Sequence, residues 1–218
     1  MHNKFIITID GPPASGKTTM AGILAREYGF THLDSGSIFR TLTLHYMKEG
    51  IDLHNPEEAI AHLDSADIFC TGEKIFLGGE DVSLAIRTPE VTRNVCNISN
   101  LPPLRKFVKD IQHSLAEKGG VVCDGRKTGT EIFPNANVKF YLTADQESRA
   151  MRRFLQHKKT EPNITFEEVF DDLKQREDKE LKNGILLLPE NPVVIDNSLM
   201  NIEETFHVMK ANIEKAMK

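Results

Sequence analysis

The sequence predicts an α/β fold in which a parallel sheet is covered by helices on both faces and carries a small inserted lobe. Three features predict it. Short apolar, β-branched runs at residues 5–9, 121–123, 138–142 and 193–195 alternate with longer stretches of helical period, the order that builds parallel strands joined by helices. Most of these runs are continuous rather than alternating, as strands buried on both faces must be. A glycine-rich turn from Gly11 to Gly16 joins the first run to the first helical stretch.

The first strand, 5–9, leads through that turn into a helix over 17–28, with Met20, Ile23 and Leu24 in its apolar pattern and Gly29 as its stop. A second amphipathic helix spans 37–48 and closes at Gly50. Residues 56–63 open with Pro56, Glu57 and Glu58; proline costs no hydrogen bond in a first helical turn, and acids there complement the helix dipole. The stretch 75–87 changes character, because Ile75-Phe76-Leu77, Gly78-Gly79 and Val82 form a hairpin pattern. Residues 66–95 therefore read as the inserted lobe. A helix over 104–115 and a turn at Gly119-Gly120 precede the second strand. Helices follow over 145–157 and from a capping box at Thr165 and Glu168 to Lys182. A closing amphipathic helix covers 202–217. No internal repeat or low-complexity segment interrupts this order, and 1–218 reads as a single domain.

With 39% hydrophobic and 27% charged residues, 218 residues suffice for one substantial core. A formal net charge of −5 gives no nucleic-acid footprint. No apolar run approaches the ~18–20 residues of a membrane span, and residues 5–9 are too few for a signal peptide. A cytoplasmic protein acting on small molecules is expected. Cys70, Cys96 and Cys123 are scattered and odd in number, which argues against both a disulfide framework and a zinc site. Cys123, inside an apolar run, is expected to be a buried thiol.

Gly11-Pro12-Pro13-Ala14-Ser15-Gly16-Lys17-Thr18 satisfies the phosphate-binding pattern Gly-x-x-x-x-Gly-Lys-[Ser/Thr]. The pattern arises by chance about once in a hundred chains of this length at average composition, and here it also follows a strand and opens a helix, as it must. Such a loop cradles a polyphosphate because successive backbone N–H groups and a helix N-terminus converge on it. Residues 11–19, through Thr19, are thus the candidate ATP site. Lys17 is expected to face solvent beside the β- and γ-phosphates, and Thr18 to ligate Mg²⁺. Asp124 ends the second apolar run and is placed beside the loop, where a carboxylate could hold the water shell of that ion. A P-loop alone does not separate kinases from other nucleotide-hydrolysing or transferring enzymes.

Beyond these motifs the chain resembles the bacterial cytidylate kinases over nearly its whole length. The resemblance is carried by Ile9-Asp10-Gly11-Pro12 with the loop and by Leu33-Asp34-Ser35-Gly36-Ser37-Ile38-Phe39-Arg40. It continues through Gly79-Glu80-Asp81-Val82-Ser83 with Ile86-Arg87-Thr88-Pro89-Glu90-Val91, and Leu101-Pro102-Pro103-Leu104-Arg105. Asp124-Gly125-Arg126 with Gly129-Thr130 and Phe133-Pro134, and Ser148-Arg149-Ala150-Met151-Arg152-Arg153, complete it. It implies a P-loop NTPase-type core, an acceptor region with its insert, and a mobile, arginine-bearing helical lid over 152–183. By the same resemblance Ser35, Arg40, Arg105 and Arg126 would grip the acceptor with Asp34 and Glu180, and Arg152 and Arg176 would reach the phosphates. Lys17, Asp124, Arg126, Arg152 and Arg176 form the implied catalytic set, moving the γ-phosphoryl group of ATP to CMP or dCMP in a monomer. Arginine suits that work, since its planar fork bonds two phosphate oxygens at once. A kinase for another phosphate or phosphonate acceptor, and a regulatory nucleotide-binding module, are the competing readings.

The chain departs from the family pattern on the acceptor side. Where the family has Glu-Gly-Arg-Asp, this chain has Asp124-Gly125-Arg126-Lys127, so a base replaces an acid expected at the cytosine amino edge. Cys96 stands where a serine is expected near the base. The lid pattern Arg-x-x-x-Asp-x-x-Arg reads Arg176, Glu180 and Asn183, and the following Pro-Leu reads Leu187-Leu188, with proline displaced to Pro189. If Lys127 faces the base, Lys127→Asp should raise kcat/KM for CMP.

Overall fold

The computed structural model describes residues 4–71, 74–117, 119–159 and 161–218. Five strands, β1 (Ile6–Asp10), β2 (Thr31–Asp34), β6 (Val121–Asp124), β7 (Val138–Thr143) and β8 (Val193–Asp196), form one sheet. Its order is β2-β6-β1-β7-β8 and every pairing is parallel. Ile9 of β1 lies beside Asp124 of β6 and Phe140 of β7, so the ends of three strands meet where the glycine-rich turn leaves β1.

Helix α1 (Lys17–Tyr28) and the closing helix α8 (Ile202–Ala216) cover the sheet near β1 and β7. Ile7, Ile9, Leu24, Phe140, Leu142, Met209 and Ile213 are all fully buried between them. Gly29 ends α1 in the left-handed region at φ 65°, a conformation that favours glycine. Helices α2 (Ser35–Glu49), α3 (Pro56–Ala61), α4 (Pro89–Ile98) and α5 (Pro102–Ala116) build the other side. Leu42, Tyr46, Ile98 and Leu104 form its core. Strands β3 (Ile68–Thr71), β4 (Lys74–Leu77) and β5 (Glu80–Asp81) make a separate antiparallel sheet, which packs Ile75, Leu77 and Val82 on Ile38 and Val108. Two further helices, α6 (Gln146–His157) and α7 (Phe166–Lys182), stand together before β8.

Several expectations need correction. The first strand ends at Asp10 rather than Ile9. Strand β2 was not anticipated, because Leu33 is the only aliphatic residue in its four; its ladder with β6 forms it. The hairpin of 75–87 is the β4–β5 part of a three-stranded sheet, and helix α4 runs through residue 95 to Ile98. The signal for α4 was legible: Thr88 caps Val91 N–H and Pro89 occupies the first turn. The capping box at Thr165 and Glu168 is present as read. Gly72 and Glu73 of the lobe and Thr160 of the lid segment lie outside the described residues, as do residues 1–3. Among the described residues no helix is long and apolar enough to cross a membrane.

Candidate active site

The glycine-rich turn achieves its shape through left-handed backbone at Gly11 (φ 146°), Ala14 (φ 60°) and Gly16 (φ 92°). A Cβ at Gly11 would lie 2.0 Å from Leu142 O, so the turn crosses β7 at a distance only glycine permits. Lys17 opens α1, but it does not face solvent as expected. It is 6% exposed, with Nζ donating to Pro12 O at 2.6 Å and approaching Ser15 Oγ at 3.4 Å. The loop curls over its own lysine, and an ammonium taken from water must bond the nearest acceptors. Burial, then the guanidinium of Arg126, push its pKa well below the usual lysine value, against the pull of Asp124, Glu180 and Asp10.

Two acids anchor the strand ends. Asp124 is buried, accepts the Thr18 hydroxyl at 2.7 Å on one oxygen, and pairs with His32 Nε2 at 2.7 Å on the other. Asp10 is buried and accepts Thr128 N–H at 2.7 Å, Thr128 Oγ1 at 2.9 Å and Gly129 N–H at 2.7 Å. Burial pushes its carboxyl above the usual range despite those bonds. Asp10 thereby fixes the turn at Thr128–Ile132 against the loop; Gly129 is needed there, since a Cβ would meet Thr8 Oγ1 at 2.8 Å and Pro189 at 3.1 Å. The displaced proline of the sequence thus packs over this turn.

On the acceptor side, Asp34 caps α2, accepts from Ser37 N–H at 3.0 Å and from the Ser37 hydroxyl, and pairs with Arg40 Nη2 at 3.1 Å. Burial alone would raise its pKa, but Arg40 and Ser37 bring it down to about 2. Ser35 is drawn into the interior instead: Gln112 Nε2 donates to its hydroxyl at 2.8 Å, and Cys123 Sγ lies 3.8 Å away. Burial pushes the Cys123 thiol far up, as suits an inert buried cysteine. Lys127 bonds Glu131 Oε1 at 2.7 Å, while Arg105 Nη2 and Nε bond Glu131 Oε2 at 2.6 and 3.2 Å. Sequence reasoning missed Glu131, which joins the two. Cys96 is half-buried on α4. A cavity of about 280 Å³ opens between α1, β2 and the antiparallel sheet; Thr18, Thr19 and Asp34 of the candidate site residues line it, with Arg26, Lys74 and Arg87 supplying cations.

Glu180 of α7 is buried between two of the expected arginines, with Arg126 Nε at 2.7 Å and Arg176 Nε at 3.0 Å. Arg152 is held elsewhere: Nη2 donates to Asn197 O at 2.7 Å and Nη1 to Asn197 Oδ1 at 3.0 Å. Its neighbour Arg153, not among the candidate site residues, lies near other guanidiniums. Burial first, then the guanidiniums of Arg176, Arg40 and Arg87, push its pKa below the usual arginine value.

A parallel sheet, a phosphate-binding loop after its central strand, and arginines converging on that loop define a P-loop nucleotide phosphotransferase. More narrowly, the cytidylate kinase family model matches residues 7–215, and the chain belongs to that family. It is 38% identical to the cytidylate kinase of Caldanaerobacter subterraneus subsp. tengcongensis over 214 residues, covering 97% of this chain and 96% of the relative. It is 36% identical to that of Bacillus licheniformis over 222 residues, covering 99% and 98%. Among solved structures, a gluconokinase from Sinorhizobium meliloti 1021 shares the fold with a TM-score of 0.52 at 13% identity, covering 99% of this chain and 94% of that one.

Proposed function

We propose that the protein transfers the γ-phosphoryl group of ATP to CMP or dCMP, with Mg²⁺ as the donor's counterion. One observation carries the reading. Thr18 of the donor loop bonds Asp124 at 2.7 Å, two residues before Arg126, which pairs with Glu180 of α7 at 2.7 Å, so the donor loop and an acceptor-side arginine share one centre. Backbone N–H groups of residues 11–19 hold the polyphosphate, and Lys17 exchanges Pro12 O for phosphate oxygens. Thr18 and Asp124 offer the hard oxygens that Mg²⁺ prefers, and a site with one or two protein ligands suits an ion that keeps its waters and binds phosphate.

Arg126, Arg153 and Arg176 spread positive charge around the transferring group, which is most of what phosphoryl transfer asks of a protein. Arg40, Arg105, Asp34 and the Lys127–Glu131 pair hold the acceptor, and α6 with α7 forms the lid that excludes water. The matched relatives support neither a phosphonate acceptor nor a module without turnover. We place the protein in the cytoplasm as a monomer. A screen of ATP·Mg²⁺ against all common nucleoside monophosphates and small phosphonates tests the reading. CMP and dCMP should give the highest kcat/KM, and a different preferred acceptor would overturn it.

A further inference from the structure

Two side chains to which the proposed chemistry gives no role hold the donor loop from outside. Pro13 O accepts Arg149 Nη1 at 3.2 Å, and Ser15 O accepts Asn197 Nδ2 at 3.0 Å. Arg149 is only 4% exposed, although Met151 and Leu155 of the same helix face water. Each of its three nitrogens is bonded. Nε bonds Ala144 O at 2.9 Å, and Nη2 bonds both oxygens of Glu177, at 2.8 and 3.2 Å. Ala144 follows β7, Pro13 belongs to the donor loop, and Glu177 belongs to α7. One planar group therefore joins sheet, loop and lid.

From these contacts we infer that Arg149 is a positioning residue that couples docking of α7 to the shape of the donor loop, with Glu177 as the α7 half of the link. The inference rests on the donor-site reading above. A buried guanidinium without its anion is strongly disfavoured, and Glu177 is the one carboxylate paired with Arg149 among the described residues. When α7 withdraws, Arg149 turns toward water to recover solvation. Its planarity carries Nη1 along with Nη2, so Pro13 O loses its donor. Arg176 precedes Glu177 and Glu180 lies three residues after it, so the docking that sets Pro13 also seats Arg176 and Glu180 at Arg126. Coupling of this kind is reciprocal: a nucleotide that orders the loop also strengthens docking of α7.

The test uses the full chain, the probe β,γ-imido-ATP with Mg²⁺, and no acceptor. Calorimetry gives the Kd, hydrogen exchange follows residues 166–182, and thermal unfolding monitors the fold. In the unmodified protein the probe should slow exchange across 166–182. Glu177→Gln should weaken probe binding about tenfold, as loss of a charge-assisted bond implies, and should abolish that slowing. Glu177→Ala should do the same, and the isosteric glutamine variant carries the test if the alanine variant does not fold. A variant with lowered Tm but unchanged Kd and retained slowing would show that the pair is a brace and overturn the coupling. An unmodified protein that binds the probe with 166–182 unaffected overturns the coupling alone; one that does not bind it overturns the donor-site reading as well.

Discussion

Replacing Lys127 by aspartate sets a second carboxylate against Glu131, which now bonds Lys127 Nζ at 2.7 Å and Arg105 Nη2 at 2.6 Å. From sequence alone the substitution should restore an acid at the base edge and improve CMP turnover. The structure reverses that sign. Two like charges about 4 Å apart repel by about 4 kcal/mol at an effective dielectric near 20. With Lys127 15% and Glu131 42% exposed, screening reduces this to about 1–2 kcal/mol. Glu131 swings away, Arg105 loses its fixed orientation, and kcat/KM for CMP falls about tenfold. Lys127→Asp with Glu131→Gln removes the repulsion while keeping one acid, and should recover most of the loss. Steady-state kcat/KM for CMP and UMP at fixed ATP measures both variants. The reasoning is refuted if Lys127→Asp alone leaves CMP turnover unchanged or raised, or if the double variant is no better than the single.

Lys17→Ala should lower kcat by about two to three orders of magnitude with little loss of stability, because the variant no longer buries an ammonium; near-normal kcat in a folded variant would sink the donor assignment. Asp34 titrates at about 2 rather than at the ordinary 3.8, so its contribution of about 2 kcal/mol is present above pH 4 and lost as pH falls toward 2. Urea unfolding of Asp34→Asn at pH 7 and pH 2 should show the deficit at the higher pH only. Glu180→Gln leaves Arg126 and Arg176 without their shared anion and should cost about 2–4 kcal/mol; because substrate phosphates would supply the missing charge, ATP with CMP should raise its Tm by more than they raise that of the unmodified protein.

The parts legible in the sequence are those whose signal is local. The donor loop could be read residue by residue, because its left-handed positions and its lysine fall within eight consecutive residues and a strand–turn–helix context. The capping box at Thr165 was equally plain. Strand β2 was not, since its hydrogen bonds come from β6, 90 residues on, rather than from its own apolarity. Of the arginines named, Arg126 and Arg176 meet at Glu180, while Arg152 bonds Asn197. Lys17 was expected in solvent because the motif describes what binds the loop; it says nothing of how the loop closes on itself.

The acceptor side resisted reading for a related reason. Its motif positions were judged one at a time, yet charges there balance as a group. Lys127 looked like a reversal of sign only while Glu131 went unnoticed four residues later, one turn away and within reach of Arg105. Counted together, Arg105, Lys127 and Glu131 carry one net positive charge, the same as an arginine, a neutral residue at 131 and no lysine at all. An acid at 127 without one at 131 would leave the group neutral. Lys127 is thus offset by a carboxylate that also binds Arg105, so one acid links α5 to the loop after β6.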